Sequence, residues 1–191
     1  MLLVRTGGIL GLGIALMVAA LFVFVVRPAI NDTTDRAFDS ADRALGDYLS
    51  PASFAAVVTR VKRELGPGAE LLDLTVSRQG GGNVKYRTGD RAAGLQWGPG
   101  HAGLDPVKVT LVGSGKLADN VFPIAKLDPT ASAKLAAAVR SETGPGFEAQ
   151  TMTLSLNPAT GKVQWTVTGE SDGRALVFTA KSDATGVKQV G

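Results

Sequence analysis

The longest apolar run in the chain lies close to its beginning. From Ile9 to Val26 the sequence reads ILGLGIALMVAALFVFVV, without a charge, a proline or a strongly hydrogen-bonding side chain. A helix of this length is about 27 Å long, close to the thickness of the hydrocarbon core of a bilayer, and it satisfies its own backbone hydrogen bonds. The pattern predicts a transmembrane helix that anchors the chain.

A cleaved signal peptide is the alternative, since it also has a basic start and an apolar centre. The residues at the end of the run and just beyond it, Val25–Ile30, do not match the small residues that a cleavage site requires. We therefore expect an uncleaved signal-anchor. Arg5 and Arg27 flank the run evenly, so the positive-inside rule does not fix the orientation. The short N-terminal tail predicts a cell-membrane protein, single-pass, with its C-terminal domain outside the cytoplasm.

Residues 29–49 have a helical pattern, in which Phe38, Ala41, Leu45 and Tyr48 recur at spacings of three and four. This pattern predicts a helical stalk between the membrane and the rest of the chain. Two interpretations are open. The stalk is either one amphipathic helix packed on the domain or a short parallel coiled coil that makes a homodimer.

The remainder of the chain contains an internal repeat. The segment 49–79 aligns with 127–157 without a gap, and more than a third of the aligned residues are identical. In each copy a capping residue and a proline, Ser50-Pro51 and Asp128-Pro129, predict the start of a helix. A Gly-Pro-Gly sequence from Gly66 in the first copy, repeated in the second, predicts the helix end.

Alternating apolar and polar residues follow each helix and predict strands. They include Ala92–Trp97 in the first copy and Arg174–Lys181 in the second. Val84–Tyr86 aligns with Val163–Trp165 if the second turn has one extra residue. We therefore predict an α+β fold: an N-terminal transmembrane helix and helical stalk, then two repeated units, each of one helix packed on a three- or four-stranded antiparallel sheet.

The predicted boundaries follow from these patterns. Residues 1–28 form the N-terminal tail and transmembrane helix, and 29–49 form the stalk. Residues 50–122 and 123–191 form the first and second units.

The second copy carries an ordered set of motifs. Gly161-Lys-Val-Gln-Trp-Thr-Val167 precedes an Asp172-Gly173 turn, and Asp183-Ala-Thr-Gly186-Val187 closes the copy. Over residues 128–190 this order resembles the PepSY domain. The first copy has Gly98-Pro99-Gly100-His101 in place of the closing motif. The resemblance implies tandem PepSY-like, cystatin-like domains on a single-pass anchor, with extracytoplasmic binding, sometimes the regulation of proteases, and no catalysis.

The charge of the chain changes this picture little. The net charge of +3 comes from 20 basic and 17 acidic residues, and Arg5 and Arg27 supply two of the basic ones. The other charges are interleaved, without the basic block that neutralises phosphates, so we predict no nucleic-acid partner. The chain has no cysteine, which excludes disulfides, thiol nucleophiles and Cys-ligated zinc.

Residues suited to catalysis or metal binding are few. His101 is the sole histidine, and no carboxylates lie at metal-ligand spacing around it. The sequence Gly113-Ser114-Gly115-Lys116 lacks the remaining residues of a phosphate loop. Glu70 and Glu148 are equivalent in the repeat, so they are either a carboxylate pair or two solvated strand ends. We predict no catalytic residue, no cofactor, no metal and no enzymatic activity.

Trp97 and His101 are the candidate partner contacts. We expect Trp97 to be an exposed aromatic residue in the extra loop of the first copy, next to Gly-rich edges suited to accept a partner strand. A core position is the alternative for Trp97. We expect the bilayer, through Ile9 to Val26, and an unidentified protein as partners. The predicted function is that of a membrane-anchored, extracytoplasmic, non-enzymatic binding or regulatory protein acting on a hydrolase or another envelope protein. The alternative is an assembly subunit of an envelope or secretion complex.

Overall fold

A computed structural model describes residues 47–99, 103–110 and 116–190. These residues contain two α-helices and nine strands. In chain order the elements are α1 (Pro51–Leu65), β1 (Glu70–Ser77), β2 (Gly81–Thr88), β3 (Arg91–Trp97), β4 (Asp105–Val107), β5 (Phe122–Pro123), α2 (Ala131–Thr143), β6 (Glu148–Asn157), β7 (Lys162–Ser171), β8 (Arg174–Lys181) and β9 (Lys188–Gln189). Short 3-10 helices at Leu117–Asn120 and Ile124–Lys126 flank β5.

The predicted membrane segment, Ile9–Val26, and the stalk up to residue 46 lie outside the described residues. Across the ranges that the structure describes, neither helix is both long enough and apolar enough to cross a membrane.

The ends of α1 follow the predicted signals. Ser50 is the N-cap, and its Oγ accepts a hydrogen bond of 3.4 Å from the backbone N–H of Ser53, while Pro51 occupies the first turn. Gly66 ends the helix with a φ of 79°, and its N–H donates to the carbonyl of Lys62. Gly144 ends α2 in the same way, with a φ of 86°. A positive φ is easily reached only by glycine, which explains the residue type at both ends.

The start of α2 differs from the prediction. The helix begins at Ala131, so Asp128 is not its N-cap and Pro129 lies before the first turn. Asp128 instead accepts bonds from the backbone N–H and the hydroxyl of Thr130, at 2.8 and 2.7 Å. Such an Asx turn competes with helix initiation and moves the start of the helix along the chain.

The strands form one continuous antiparallel sheet with the order β4-β3-β2-β1-β6-β7-β8-β9, and β5 pairs with the outer part of β1. The prediction of two units, each with its own sheet, was therefore wrong. β1 and β6 are the first strands of the two meanders, and each would otherwise leave a row of backbone groups unpaired at a sheet edge. Pairing these two strands with each other satisfies both rows.

The junction of β1 and β6 has an approximate two-fold axis. Thr75 pairs with Thr153, its counterpart in the repeat, and Leu74 pairs with Leu154. Each half also has a break in its ladder at the same place. In the first half the break lies between Leu71 and Asp73, and in the second half it follows Ala149, the counterpart of Leu71. The two halves are thus related by a rotation about the Thr75–Thr153 pair.

The register of the second strands corrects the sequence alignment. Val84 pairs with Leu74, and Val167 pairs with Met152, the counterpart of Leu74. Val84 is therefore equivalent to Val167 and not to Val163. The β6–β7 hairpin thus exceeds the first hairpin by several residues and not by one. Both strands of this hairpin are longer than those of the first hairpin. From the sequence pattern alone, longer strands could not be distinguished from a longer turn.

The two helices contact each other, and their apolar faces pack on one face of the sheet. A single core cluster joins the halves. The ring of Phe54 on α1 lies 5.9 Å from that of Trp165 on β7, so the first helix packs against the second half of the sheet. The other sheet face carries partly exposed polar residues, with Thr75, Thr153 and Thr166 in one cross-strand row.

Candidate functional site

A cleft of about 300 Å³ lies between the beginning of α1 and one side of α2. Its apolar floor includes Phe147 and Met152, which are 4% and 1% exposed. Ser132 on α2 lines its wall, and two arginines, Arg78 and Arg140, border it. We call this feature the Ser132 cleft. Its volume is at the lower end of the range for small-ligand sites.

The cleft exists because α2 carries smaller side chains than α1 at equivalent positions. In the aligned copies, Ser132 is the counterpart of Phe54, and Ala136 is the counterpart of Val58. Phe54 and Val58 are fully buried and fill the space beneath α1. The smaller residues of α2 leave the corresponding space beside that helix open. The two halves therefore share a scaffold and differ in whether this space is filled.

Ser132 is the one buried polar residue in the part of the chain that the structure describes, with 1% of its surface exposed. Its Oγ has no hydrogen-bond partner there. Leaving a buried hydroxyl without a partner costs about 1–3 kcal/mol. An uncompensated group that lines a cleft is suited to bond a ligand, because binding supplies the missing partner.

The two arginines of the cleft have different surroundings. The Nε of Arg78 donates a hydrogen bond of 2.7 Å to the carbonyl of Ala149, and its Nη1 lies 3.3 Å from the carboxylate of Asp47. These two contacts hold the guanidinium in place. Arg140 is exposed on α2, and no ion pair among the described residues involves it. With Asp47 the two arginines give the cleft a net charge of +1. The beginning of α1 adds the partial positive charge of a helix N-terminus.

Trp97, a candidate partner contact, lies in the core at the end of β3 and is 2% exposed. It borders a separate cavity of about 270 Å³, together with Asn83 and Gln96. Its Nε1 has no hydrogen-bond partner in the described ranges. His101, the other candidate, lies outside the described residues. The structure does not bring Trp97 to the Ser132 cleft, and a partner contact through these two residues stays a prediction.

The carboxylates of Glu70 and Glu148 do not form a pair. β1 and β6 are antiparallel, and Glu70 and Glu148 each precede the central Thr75–Thr153 pair by five residues, so they lie on opposite sides of it, ten residues apart along the strands. At the rise of a strand this separation is about 33 Å. Glu70 instead forms an ion pair of 3.1 Å with Arg87. In the described part of the chain, no three His, Asp or Glu side chains are grouped so that they could hold a metal ion.

The closing motif of the second copy forms the turn between β8 and β9. Asp183 accepts hydrogen bonds from the hydroxyl and the backbone N–H of Thr185, at 2.7 and 3.1 Å, and these bonds hold the pKa of the Asp183 carboxyl below its usual value. Next to it, the carbonyl of Ser182 accepts a bond of 3.2 Å from the indole of Trp165. The motif thus closes the hairpin and fixes a core tryptophan.

A basic surface lies at the far end of the second half of the sheet, around a cavity of about 530 Å³. It carries four exposed lysines and one aspartate: Lys126, Lys162, Lys181, Lys188 and Asp183. This surface was not predicted from the sequence, because these lysines are widely spread along the chain. No unpartnered buried polar atom of the described residues lies there, so the lysines are a solvated surface.

The Ser132 cleft was also missed in the sequence, although a signal for it was present. In the aligned copies, Ser132 replaces Phe54 and Ala136 replaces Val58. The second helix therefore has two smaller side chains on the same face. Arg78 gives no such signal, since only folding brings the β1–β2 turn to α2.

Comparison of the chain with protein-family models, with curated proteins and with solved structures gives no match.

Proposed function

We propose that this chain is a non-enzymatic binding or regulatory protein, and that the Ser132 cleft is its binding site. One observation carries the proposal: the hydroxyl of Ser132 is buried without a partner, among the described residues, in a cleft that two arginines border. Such a group lowers the stability of the empty protein, and a bound ligand removes that cost.

Attachment to a bilayer through Ile9–Val26 is part of the same proposal. The run is apolar over its whole length, and the chain that follows it carries the Ser132 cleft. We place this part of the chain outside the cytoplasm, where the cleft meets an envelope protein such as a hydrolase. A homodimer through the stalk remains a prediction.

The chemistry of the cleft supports binding rather than catalysis. Arginine remains protonated in proteins, so Arg78 and Arg140 do not act as general bases. Asp47 is engaged by Arg78 and by the backbone N–H of Leu49. Among the described residues that line the cleft, Ser132 therefore has no neighbouring base to activate its hydroxyl.

The test is co-purification of the full-length protein from detergent-solubilised membranes of cells that produce it. Ala137 is exposed at the cleft, and Ala137→Arg would block the opening. Thr59 occupies the equivalent, exposed position on α1, so Thr59→Arg is a matched control. We expect the wild type and Thr59→Arg to recover the same partner, and Ala137→Arg to recover at least tenfold less.

Equal recovery by all three proteins would rule out the cleft as the binding site. Recovery of several membrane subunits in fixed proportion, unaffected by Ala137→Arg, would instead support the alternative role of an assembly subunit. Thermal unfolding of the variants shows whether each is folded.

A further inference from the structure

The Ser132 cleft is elongated along α2. Ser132, Ala136 and Arg140 follow one another at intervals of four residues, so they lie along one side of the helix and all three line the cleft. The distance from Ser132 to Arg140 corresponds to about 12 Å along the helix axis. One hydrogen-bonding group and one cationic group therefore stand at the two ends of an alanine wall.

We propose that the ligand is the C-terminal end of a polypeptide with small apolar last residues, bound with its carboxylate at Arg140. This inference rests on the proposed function and names the chemistry of the same site. Two or three extended residues span about 7–10 Å. This is somewhat less than the distance from Ser132 to Arg140 along the helix, and the Arg140 side chain can reach back over the difference.

Charge favours a monoanion. The guanidinium of Arg140 is planar and has two parallel N–H donors that match a carboxylate. Arg78 and Arg140 together with Asp47 give a net charge of +1, which one carboxylate neutralises. A phosphate dianion would exceed this charge and would face the carboxylate of Asp47.

The remaining surfaces favour a peptide over a simple fatty acid. The alanine wall and the floor at Phe147 and Met152 accept small apolar side chains. Ser132, buried and without a partner among the described residues, requires a hydrogen-bonding group within the body of the ligand. A backbone amide supplies such a group two residues before a C-terminal carboxylate, whereas an alkyl chain does not.

Met152 provides a direct probe of occupancy. The chain has three methionines, and the other two, Met1 and Met17, precede the described residues. The full-length protein in lipid nanodiscs, labelled with ¹³C at methionine methyl groups, is titrated with N-acetyl-Ala-Ala-Ala, with its C-terminal amide and with hexanoate. Met152→Leu assigns the signal.

We expect the free acid to shift the Met152 signal saturably, and the amide and hexanoate each to bind at least tenfold more weakly. Arg140→Gln should weaken binding of the acid at least tenfold and abolish its advantage over the amide. Ser132→Ala should weaken the acid and the amide by the same factor. Arg174→Gln removes the same charge from an exposed position outside the cleft and should change nothing.

Equal affinity for the acid and the amide in the wild type would overturn the inference, and this comparison needs no variant. Hexanoate that binds as tightly as the peptide acid would overturn the assignment to a peptide. If no peptide binds but Ala137→Arg still loses the co-purified partner, the proposed function stands and the ligand assignment fails. If Ala137→Arg loses nothing, the proposed function itself fails.

Discussion

The hydroxyl groups of Thr75 and Thr153 lie 3.2 Å apart at the centre of the sheet. The two threonines are counterparts in the internal repeat, and they also pair with each other across β1 and β6. A residue faces its own counterpart only on a two-fold axis. The axis therefore passes between these side chains, and each half of the sheet completes the edge of the other.

Because the sheet and the core are continuous, we expect the described part of the chain to unfold in one transition. Phe54→Ala in the first half and Phe178→Ala in the second should each lower the free energy of unfolding by about 3–5 kcal/mol, since both rings are fully buried. Urea titrations followed by circular dichroism and by tryptophan fluorescence should have one common midpoint. Two separated midpoints would show that the halves fold independently.

The contact between Gly82 and Trp97 gives a second prediction. A Cβ at Gly82 would lie 2.5 Å from Cζ2 of Trp97 and would also clash with the carbonyl of Thr75. Gly82→Ala should therefore destabilise the protein by about 1–3 kcal/mol. Gly68→Ala is the control, because a Cβ there meets nothing within 4 Å. If urea denaturation gives the same free energy of unfolding for Gly82→Ala and Gly68→Ala, the close packing of Trp97 on Gly82 would be contradicted.

Ser132→Ala should make the protein more stable. The substitution removes a buried hydroxyl without a partner in the described ranges, and we expect a gain of about 1 kcal/mol. Ser50→Ala removes the N-cap of α1 and should cost about 1 kcal/mol instead. Both values come from urea titration of the ligand-free protein. A loss of stability in Ser132→Ala would indicate that the hydroxyl is satisfied in solution.

The Asp128 carboxyl, just before α2, should make the stability of the protein depend on pH. Partial burial raises the pKa of its carboxyl, but hydrogen bonds from Lys134 and from the hydroxyl and N–H of Thr130 outweigh this and lower the pKa from 3.8 to about 2. Because the pKa is lower in the folded state, the carboxylate contributes stability that is fully present above the unfolded-state value of 3.8. That contribution is lost as the pH falls through about 2.

Asp128→Asn should therefore lower the free energy of unfolding at neutral pH, by less than about 1 kcal/mol for a group this accessible to solvent. The difference between the variant and the wild type should shrink toward zero between about pH 4 and about pH 2, as measured by urea titration at each pH. A difference that stays constant over this range would contradict a lowered pKa.

The apolar run at Ile9–Val26 predicts membrane attachment. The full chain should remain in the membrane pellet after extraction with alkaline carbonate, and a chain without residues 1–28 should move to the supernatant. Protease added to intact cells should remove a C-terminal tag if the domain lies outside the cytoplasm. A tag that is fully protected, and is cleaved only after lysis, would reverse the predicted orientation.

Local signals predicted the individual elements well. The cap at Ser50 and the glycine at Gly66 identified the limits of α1, and the alternation from Arg174 to Lys181 gave β8. These features depend on neighbouring residues, which the sequence displays directly. The predicted start of α2 was wrong because the Asp128 side chain can either cap a helix or form an Asx turn, and in the structure it forms the Asx turn.

Contacts between distant residues could not be predicted in this way. The pairing of Thr75 with Thr153 joins two strand edges, and nothing in either strand marks its edge as the one that pairs. The Ser132 cleft likewise depends on the approach of Arg78 to α2. The alignment of Ser132 with Phe54 already showed that a smaller side chain leaves space there. It did not show that arginines would border this space.

The difference between Phe54 and Ser132 determines how many clefts of this kind one chain has. A two-fold scaffold offers two equivalent places beside its helices, as a symmetric dimer would. Phe54, packed against Trp165, occludes one of them, and only the place beside α2 stays open among the described residues. The chain thus has the architecture of a dimer but a single cleft of this kind among the described residues. If the Ser132 cleft is the binding site, as we propose, each chain would bind its ligand one to one and would not cross-link two copies of it.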